Sequence, residues 1–388
     1  MMTVQAMRHE CLFACARLYR DRKIVMVKKT FLRIRCLLFC LIATGALLSL
    51  SISASSDAHA NSTYTAHKEE NDGFSSLRLL PGGDIFGVRL HMDGVLVSGM
   101  GNILCETGEC CPAKDAGLKC GDIIAEMNGT PVKTAQDVLS LIDLAKGAPI
   151  TVTVRRGDGT ASYTVTPIKT KDGAYRIGVF IRDRAAGIGT VTFIDPKTGV
   201  FGGLGHGICD PETGIVVPAR GGYVTDVSLH GVTKGKSGAP GELRGTLGMQ
   251  KKGVLKKNTK VGVFGTLQNP DCADRKPLPV ARAKDVKTGA ARIFCTLPSG
   301  ERKSYKIDIT KIADEKRETK CFTIKVTDPA LLRETGGIVQ GLSGSPIIQN
   351  GKLVGAVTHV MVGDPTTGYG IFIENMLNAA QMPMAKTS

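Results

Sequence analysis

The stretch GIVQGLSGSPIIQNGKLVGAVTHV, which runs from Gly337 to Val360, places a Gly-Leu-Ser-Gly-Ser-Pro segment directly before an alternating apolar run. The alternating run predicts a β-strand with one buried face. Serine and glycine are common turn residues, so Ser343 can belong to an ordinary turn between strands. It can also be a nucleophile on a tight loop whose backbone N–H groups point at a reacting carbonyl. Features elsewhere in the chain distinguish these two roles.

The composition of the 388-residue chain favours β architecture. Its 47 glycines are dispersed among many short runs rich in Val, Ile and Thr, and tryptophan is absent. From about residue 171 onwards these runs follow one another with glycine-containing turns between them, which is typical of a sandwich or a barrel. We therefore predict a mainly β protein with two or three domains.

The first 60 residues have the pattern of an export leader. Residues 1–35 hold nine Lys and Arg against two acidic residues, and an uncharged apolar stretch of 19 residues follows from Cys36 to Ala54. About 20 apolar residues span a bilayer, and flanking positive charge stays on the cytoplasmic side. Because the following Ala-His-Ala fits a cleavage site, residues 1–60 are predicted to be a basic leader with a signal peptide or a membrane anchor. Polar residues 61–77 form a predicted linker, and the remaining chain is expected outside the cytoplasm.

The net charge of +15 does not indicate a nucleic-acid partner, because nearly half of the excess lies in the leader. The cysteines do not indicate a metal centre either. Four of them lie between residues 105 and 120 without the paired C-x-x-C spacing of a structural zinc site: Cys105, Cys110, Cys111 and Cys120. We predict no metal and no cofactor.

Residues 78–170 contain a recognisable peptide-binding motif. The segment PAKDAGLKCGDIIAEMNGTPV, residues 112–132, resembles the signature of bacterial PDZ domains, and a helix is predicted to follow from about Thr134 to Ala145. PDZ domains bind extended peptides by adding a strand to a sheet edge. The resemblance places the peptide groove beside Phe86-Gly87-Val88-Arg89. The alternative is a domain that only packs against its neighbour.

A serine nucleophile requires a general base, and three histidines lie in the C-terminal β region. His206 lies in FGGLGHGICD, where the flanking glycines allow close backbone approach and an exposed ring. His359 lies in the apolar run GAVTHVMV, as expected of a buried structural histidine. We predict that His206 is the base, with His359 and His230 as alternatives.

Three segments together carry a family resemblance: FGGLGHGICD, KVTDPALLRETGGIVQGLSGSPIIQNGKLVGAVTHV and DPTTGYGIFIENML. They resemble the stage IV sporulation protein B peptidases of endospore-forming bacteria. The resemblance implies an N-terminal hydrophobic segment, a PDZ-like domain and then a trypsin-like double β-barrel serine endopeptidase over residues 171–388. It also implies secretion into the space between the forespore and mother-cell membranes. There the peptidase would cleave itself and a membrane-bound regulatory complex, which permits late sigma-factor processing. The implied partners are a protein substrate at a membrane surface and a second copy bound in trans through the PDZ-like domain.

Carried over residue by residue, the family's catalytic residues fall on His206, Asp328 and Ser343. By analogy with trypsin-like enzymes, the backbone N–H groups of Gly341 and Ser343 would form the oxyanion hole. From the residues alone the orienting aspartate stays open among seven carboxylates between base and nucleophile: Asp210, Asp271, Asp274, Asp285, Asp308, Asp314 and Asp328. The alternative function is a catalytically silent PDZ adaptor with a retained peptidase fold.

Overall fold

The computed structural model describes residues 76–105, 108–270, 275–313 and 316–382, so the predicted leader lies outside the described residues. Within these ranges, no helix has the length and hydrophobicity needed to cross a bilayer. The elements of the N-terminal part are β1 (Arg78–Pro81), β2 (Ile85–Met100), β3 (Ile103–Cys105), β4 (Gly108–Cys110), α1 (Pro112–Asp115), β5 (Ile123–Met127), β6 (Thr130–Pro131), α2 (Ala135–Ala145), β7 (Ile150–Arg156), β8 (Gly159–Val165), β9 (Ile168–Lys169) and β10 (Tyr175–Arg176).

The elements of the C-terminal part are again mostly strands. They are β11 (Val179–Ile194), β12 (Val200–Gly203), β13 (Ala219–Thr233), β14 (Glu242–Thr259), β15 (Gly262–Leu267), β16 (Leu278–Pro279), a 3-10 turn (Ala283–Asp285), β17 (Gly289–Thr296), β18 (Arg302–Ile312), β19 (Phe322–Val326), α3 (Pro329–Thr335), β20 (Pro346–Gln349), β21 (Lys352–Met361), β22 (Asp364–Phe372) and α4 (Ile373–Ala380).

Six antiparallel strands close the first barrel. Their order is β2-β11-β12-β15-β14-β13, and β13 pairs back onto β2. The sequence of β2 fits this position because its buried side chains alternate along the strand: Phe86, Val88, Leu90 and Met92. Burying side chains of this size stabilises a fold by about 1.5–3 kcal/mol each.

Six more antiparallel strands close the second barrel in the order β17-β18-β19-β22-β21-β20, with β20 pairing back onto β17. Ile307 and Phe322 lie in its core. The C-terminal helix α4 packs onto this core through Ile373, Met376 and Leu377, whose spacing puts them on one helix face. Two six-stranded antiparallel barrels form the double β-barrel that the resemblance implied, so the predicted fold class is confirmed.

The PDZ-like unit has its own core. β5 pairs with the C-terminal half of β2 and with β7, and β7 pairs with β8. Helix α2 begins after Thr134, whose hydroxyl accepts a hydrogen bond from the Asp137 N–H in a capping box. Val138 and Ile142 of α2 are buried against the sheet.

The sequence predicted a boundary between a PDZ-like domain at residues 78–170 and a peptidase domain at residues 171–388. This boundary does not hold for β2 and β11, because both strands belong to both parts. β2 and β11 pair along their length, from Ile85 opposite Thr190 in the barrel to Met100 opposite Val179 in the PDZ-like unit. The PDZ-like unit is therefore inserted between two neighbouring strands of the first barrel. Residues 85–92 belong to the barrel, because they pair with the barrel strands β11 and β13.

Candidate active site

The loop that carries Ser343 connects α3 to β20 and is fixed against β11 of the first barrel. Thr190 donates its N–H to the Ser343 carbonyl (2.9 Å) and its hydroxyl to the Gly341 carbonyl (2.7 Å). The Thr192 hydroxyl donates to the Gly344 carbonyl (2.8 Å). Gly344 has a φ of 96°, and a Cβ there would lie 2.0 Å from the Thr190 carbonyl oxygen. Only glycine fits this position, which explains the Ser-Gly-Ser sequence.

Ser343 lies in a cleft of about 730 Å³ that is also lined by His206, His359 and Thr358. Its hydroxyl donates a hydrogen bond of 2.5 Å to the Thr358 carbonyl. The neighbouring Ser345 is fully buried, and its hydroxyl donates to the Leu342 carbonyl within the loop (2.7 Å). Of these two serines, Ser343 is therefore the one that a substrate can reach.

His206 follows β12 and enters the cleft from the first barrel. The preceding Gly205 has a φ of 66°, and a Cβ there would lie 3.0 Å from the Thr358 side chain and 3.2 Å from the Val357 carbonyl oxygen. The His206 Nδ1 lies 2.9 Å from the Gly207 carbonyl oxygen. Burial lowers the pKa of His206, and the hydrogen bond to Gly207 opposes this only in part. The imidazole is therefore neutral at neutral pH, as a general base must be.

The alternative base, His359, lies in the same cleft on β21. Its ring packs against the ring of His206 with a centroid distance of 4.7 Å. Burial, followed by the charges of His206 and Lys320, lowers the pKa of His359 to about 4. Its Nδ1 is buried and has no hydrogen-bond partner among the described residues. Because no acceptor fixes its tautomer, His359 is less suited than His206 to act as the base.

No hydrogen bond joins Asp328 to His206, so the structure does not show the predicted role of Asp328 as the orienting aspartate. Its carboxylate is the N-cap of α3, where it accepts hydrogen bonds from the N–H groups of Ala330 (2.9 Å) and Leu331 (3.4 Å). Its second oxygen accepts from the Lys306 N–H (3.1 Å). Burial raises the pKa of Asp328, but these backbone hydrogen bonds outweigh it and bring the pKa below its usual value.

Other carboxylates do not take that place among the described residues. Asp210 is buried, but it binds Arg182 (3.1 Å) and the Thr213 hydroxyl (2.9 Å). No Asp or Glu of the described residues lines the cleft. Three of the seven open candidates lie outside the described residues: Asp271, Asp274 and Asp314. Within the described ranges, no group of three or more His, Cys, Asp or Glu is arranged to hold a metal ion.

The predicted oxyanion donors, the N–H groups of Gly341 and Ser343, form no hydrogen bond with any described residue. Gly341 has a φ of 99°, in the left-handed region that favours glycine. Their amides are thus available to a substrate oxygen, and their role stays a prediction.

The peptide groove predicted beside Phe86-Gly87-Val88-Arg89 is wrong. Both edges of this segment are occupied, because it pairs with β11 on one side and with β13 on the other. Phe86, Gly87 and Val88 are buried in the barrel. A strand without a free edge cannot accept an added peptide strand.

The structure offers a different groove, of about 550 Å³, beside the predicted helix α2. Val138, Leu139 and Ile142 of α2 line one side, and residues 175–181 and 101–104 line the other. The segment Val179–Ile181 of β11 pairs with β2 through one edge, and no described strand pairs with its other edge. The run YRIGVFIRD contained this strand, but it lies after the PDZ motif, where the sequence predicted the peptidase domain.

Comparisons with known proteins identify both parts of the chain. A family model described as SpoIVB peptidase S55 matches residues 173–377, and one described as PDZ domain matches residues 108–156. The putative serine protease HhoB of Synechocystis sp. is 34% identical over 84 residues, which cover 20% of each protein. A putative zinc metalloprotease of Clostridium perfringens is 32% identical over 68 residues, which cover 18% of this chain and 20% of that protein. The chain thus spans about a fifth of the length of these relatives.

Two solved structures are also similar to parts of the chain. The PDZ domain of an SdrC-like protein from Listeria monocytogenes is 25% identical with a TM-score of 0.19, over 24% of this chain and 90% of that one. The active form of the Rv3671c protease from M. tuberculosis is 16% identical with a TM-score of 0.30, over 53% of this chain and 76% of that one.

Proposed function

The chain belongs to the SpoIVB peptidase S55 family, and from this membership we propose that it is an exported serine endopeptidase with Ser343 as nucleophile and His206 as general base. The assignment of these two residues rests on one observation: their side chains line the same cleft. Ser343 comes from the second barrel and His206 from the first, and the two line the same cavity.

The geometry supports acyl transfer in two steps. The Ser343 oxygen bonds to the scissile carbonyl carbon while its proton passes to the imidazole of His206, and the carbonyl electron pair moves onto the oxygen. The N–H groups of Gly341 and Ser343 would hold that oxyanion. The intermediate then expels the amine, which takes the proton from His206. A water molecule releases the acyl group by the same steps, with His206 again as base.

Attack requires one rearrangement from the described geometry. The Ser343 hydroxyl donates to the Thr358 carbonyl, and no hydrogen bond joins it to His206. Rotation about the Ser343 Cα–Cβ bond frees the hydroxyl for the imidazole. Catalytic hydrogen bonds are often formed only in the substrate complex, so this geometry is compatible with an active enzyme.

The PDZ-like unit would bind an extended segment of a protein. The free edge of Val179–Ile181 supplies backbone groups, and the apolar side of α2 supplies contacts for side chains. Phe180 is 63% exposed beside this edge, as expected of a residue that an incoming chain covers. The occupant in this proposal is the substrate or a second copy of the chain in trans.

The proposed biological role is a sporulation signal. The peptidase would act between the forespore and mother-cell membranes, cleave a membrane-bound regulatory complex and so permit late sigma-factor processing, and cleave itself. The family description supports the link to sporulation. The basic segment and the 19 apolar residues that follow it support export and a membrane-proximal site.

Two observations favour a second candidate, a catalytically silent adaptor. No carboxylate of the described residues contacts His206, and the Ser343 hydroxyl is bound to a backbone carbonyl. A fluorophosphonate probe separates the two candidates, because it reacts only with an activated serine. We expect it to label wild-type protein at Ser343 and to leave Ser343→Ala unlabelled. Failure to label a folded wild-type protein would favour the adaptor.

Incubation of purified full-length protein tests the self-cleavage. Wild type should produce fragments whose new N-termini lie in the N-terminal part of the chain, and Ser343→Ala should remain intact. Fragments that form equally from both proteins would point to a contaminating peptidase.

A further inference from the structure

Strand β14 and the turn after it carry a run of positive charge that the proposed catalysis does not use. Residues 249–260, MQKKGVLKKNTK, contain five lysines and no acidic residue. Lys257 serves the fold, because its Nζ donates to the Gln381 side-chain oxygen (2.7 Å) and to the Ala379 carbonyl (3.4 Å). The other four lysines are exposed to solvent: Lys251, Lys252, Lys256 and Lys260.

The alternation of β14 puts part of this run on the outer face of the first barrel. Gly253 and Leu255 are buried. Because successive side chains of a strand point to opposite faces, the residues between and beside them point outward. These outward-facing residues are Lys252, Val254 and Lys256.

Cross-strand partners extend the same face over two more strands. Val254 lies opposite Tyr223 of β13, and Tyr223 lies opposite Arg89 of β2. Directly opposite residues of an antiparallel pair share a face of the sheet, so Arg89 adds a further positive charge to it. The Lys251 Nζ lies 4.8 Å from the centre of the Tyr223 ring, which brings Lys251 to this face as well.

A bulge in β14 adds an exposed apolar side chain next to these charges. Register shifts between β13 and β14 leave Gly248, Met249 and Gln250 opposite Asp226 alone. Extra residues of this kind bend a strand away from its partner, and Met249 at the centre of the bulge is 94% exposed. The Asp226 carboxylate fills the space that a Cβ on Gly248 would need, so the bulge requires glycine. Asp226 also adds one negative charge at this edge of the face.

We infer that the outer face of the first barrel docks onto a bilayer of anionic phospholipid. The docking surface is a basic patch of six residues: Arg89, Met249, Lys251, Lys252, Val254 and Lys256. Its cations attract acidic headgroups, and the two exposed apolar side chains, of which Val254 is 47% exposed, bury their atoms between those headgroups. Docking requires neither Ser343 nor His206, so the inference goes beyond the proposed function.

The sequence before the barrel favours a bilayer as the occupant. The predicted membrane-spanning stretch ends at Ala54, and β1 begins at Arg78. A connection of this length spans at most roughly 80 Å when extended, so an anchored chain keeps the basic patch within reach of the membrane surface. Lys260, at the end of the same lysine run, lines the catalytic cleft. Docking would therefore hold the cleft close to the bilayer, and this consequence alone rests on the proposed function.

The absence of tryptophan from the chain permits a direct fluorescence test. Full-length Met249→Trp is mixed with vesicles of equal parts phosphatidylcholine and phosphatidylglycerol, and in parallel with vesicles of phosphatidylcholine alone. We expect a shift of the emission to shorter wavelength and quenching by brominated lipid on the anionic vesicles, because tryptophan enters the headgroup region. Both effects should be much weaker on the neutral vesicles.

Leu144→Trp is the matched control, because Leu144 is 74% exposed on the PDZ-like unit and lies outside the basic patch. Both proteins carry the predicted anchor, so a difference between them reports the patch and not the leader. Equal quenching of the two tryptophans, or no quenching of Met249→Trp on anionic vesicles, would overturn the inference.

Sedimentation with the same vesicles tests the charges. The protein for this test starts at Asn61, so it lacks the predicted anchor and keeps every strand and helix that the structure describes. A lysine near an anionic surface strengthens binding by about fivefold, so loss of three should weaken it on the order of 100-fold. The test variant combines Lys251→Gln, Lys252→Gln and Lys256→Gln. Added salt should also weaken wild-type binding, because it screens exposed charges.

A control of equal net charge separates the patch from the overall charge of the protein. It replaces three exposed lysines elsewhere by glutamine and should bind like wild type: Lys284, Lys325 and Lys352. Equal losses in the two triple variants would overturn the inference. Binding to polyglutamate but not to anionic vesicles would assign the patch to an acidic protein and would overturn it as well. Every measurement is repeated in Ser343→Ala, where docking should be unchanged, so failure of the proposed function leaves this test intact.

Discussion

The catalytic cleft and the peptide groove lie along one strand, β11, but they are built in different ways. At one end of β11, Thr190 and Thr192 hold the serine loop through side-chain and backbone hydrogen bonds at fixed positions. At the other end, the segment Val179–Ile181 presents an unpaired edge and an apolar surface beside α2. Catalysis in the cleft depends on the positions of individual atoms, whereas peptide binding in the groove depends on exposed apolar area and on an unpaired strand edge.

This difference determines how each region should respond to substitution. Loss of one oxygen at the cleft removes a chemical step, because no neighbouring group can replace it. Loss of one apolar side chain at the groove removes part of a contact surface whose backbone hydrogen bonds remain. Single substitutions in the cleft should therefore abolish catalysis, whereas single substitutions in the groove should weaken peptide binding only in part.

The largest effect is expected from Ser343→Ala, which should lower kcat by about 10⁶-fold, as loss of a serine nucleophile does. The fold should persist, because only the hydrogen bond to the Thr358 carbonyl is lost, worth about 1 kcal/mol. Peptide hydrolysis and thermal unfolding measure the two quantities. Ser345→Ala is the matched control and should stay active. Loss of activity in Ser345→Ala alone would mean that the nucleophile is misassigned.

A large but selective effect is expected from removal of the PDZ-like unit. Leu96 and Arg182 are opposite each other on β2 and β11, so an Asn-Gly turn can replace residues 97–181 and leave both strands in the barrel. Hydrolysis of a short unstructured peptide should persist. Cleavage of a protein target should fall by about 100-fold or more, because binding to the groove raises the local substrate concentration. Loss of both activities in a folded protein would show that the unit belongs to the catalytic architecture.

A smaller effect is expected from a single charge in the groove. Leu139 lines the groove and is 50% exposed, whereas Leu144 of the same helix is 74% exposed and does not line it. Leu139→Glu should weaken binding of an extended peptide by about 10-fold, because contact with a side chain of this size is worth roughly 1.5 kcal/mol or more. Leu144→Glu should bind like wild type. Fluorescence anisotropy with a labelled peptide measures both, and equal binding would place the peptide elsewhere.

The smallest effect concerns pH. The pKa of His359 is lowered from 6.5 to about 4 in the folded protein. Between these values the unfolded chain binds the extra proton and the folded protein does not, so stability falls as the pH drops through this window. Urea unfolding at several pH values should show this slope in wild type and a shallower one in His359→Phe. Identical slopes would mean that His359 titrates normally.

The parts of the site that the sequence predicted are those with local signals. Gly344 and Gly205 adopt positive φ values beside Ser343 and His206, and such glycines are visible in the sequence as loop markers. Asp328 also had a local signal, because an aspartate directly before a proline is typical of a helix N-cap followed by its first residue. That signal favoured a cap, whereas the family resemblance favoured the triad.

The groove could not be predicted in the same way. Phe86–Arg89 and Val179–Ile181 are both short, mostly apolar runs. Their side-chain pattern does not indicate which edge of the strand another strand will cover. The difference between them arises from pairing with β13, which lies more than 120 residues further along the chain than Phe86. Only the tertiary structure shows that one edge is closed and the other open.

The sharing of β2 and β11 also sets an order of events on the ribosome. The PDZ-like unit is complete when residue 182 has emerged, because all of its strands precede that point. The first barrel cannot close until β15 at Gly262–Leu267 is made, and one edge of β2 stays unpaired until β13 at Ala219–Thr233 is made. Strands that are far apart in sequence pair slowly. The PDZ-like unit would therefore fold first and hold β2 and β11 together. The PDZ-like unit would then align two strands of the first barrel before the remaining strands of that barrel are made.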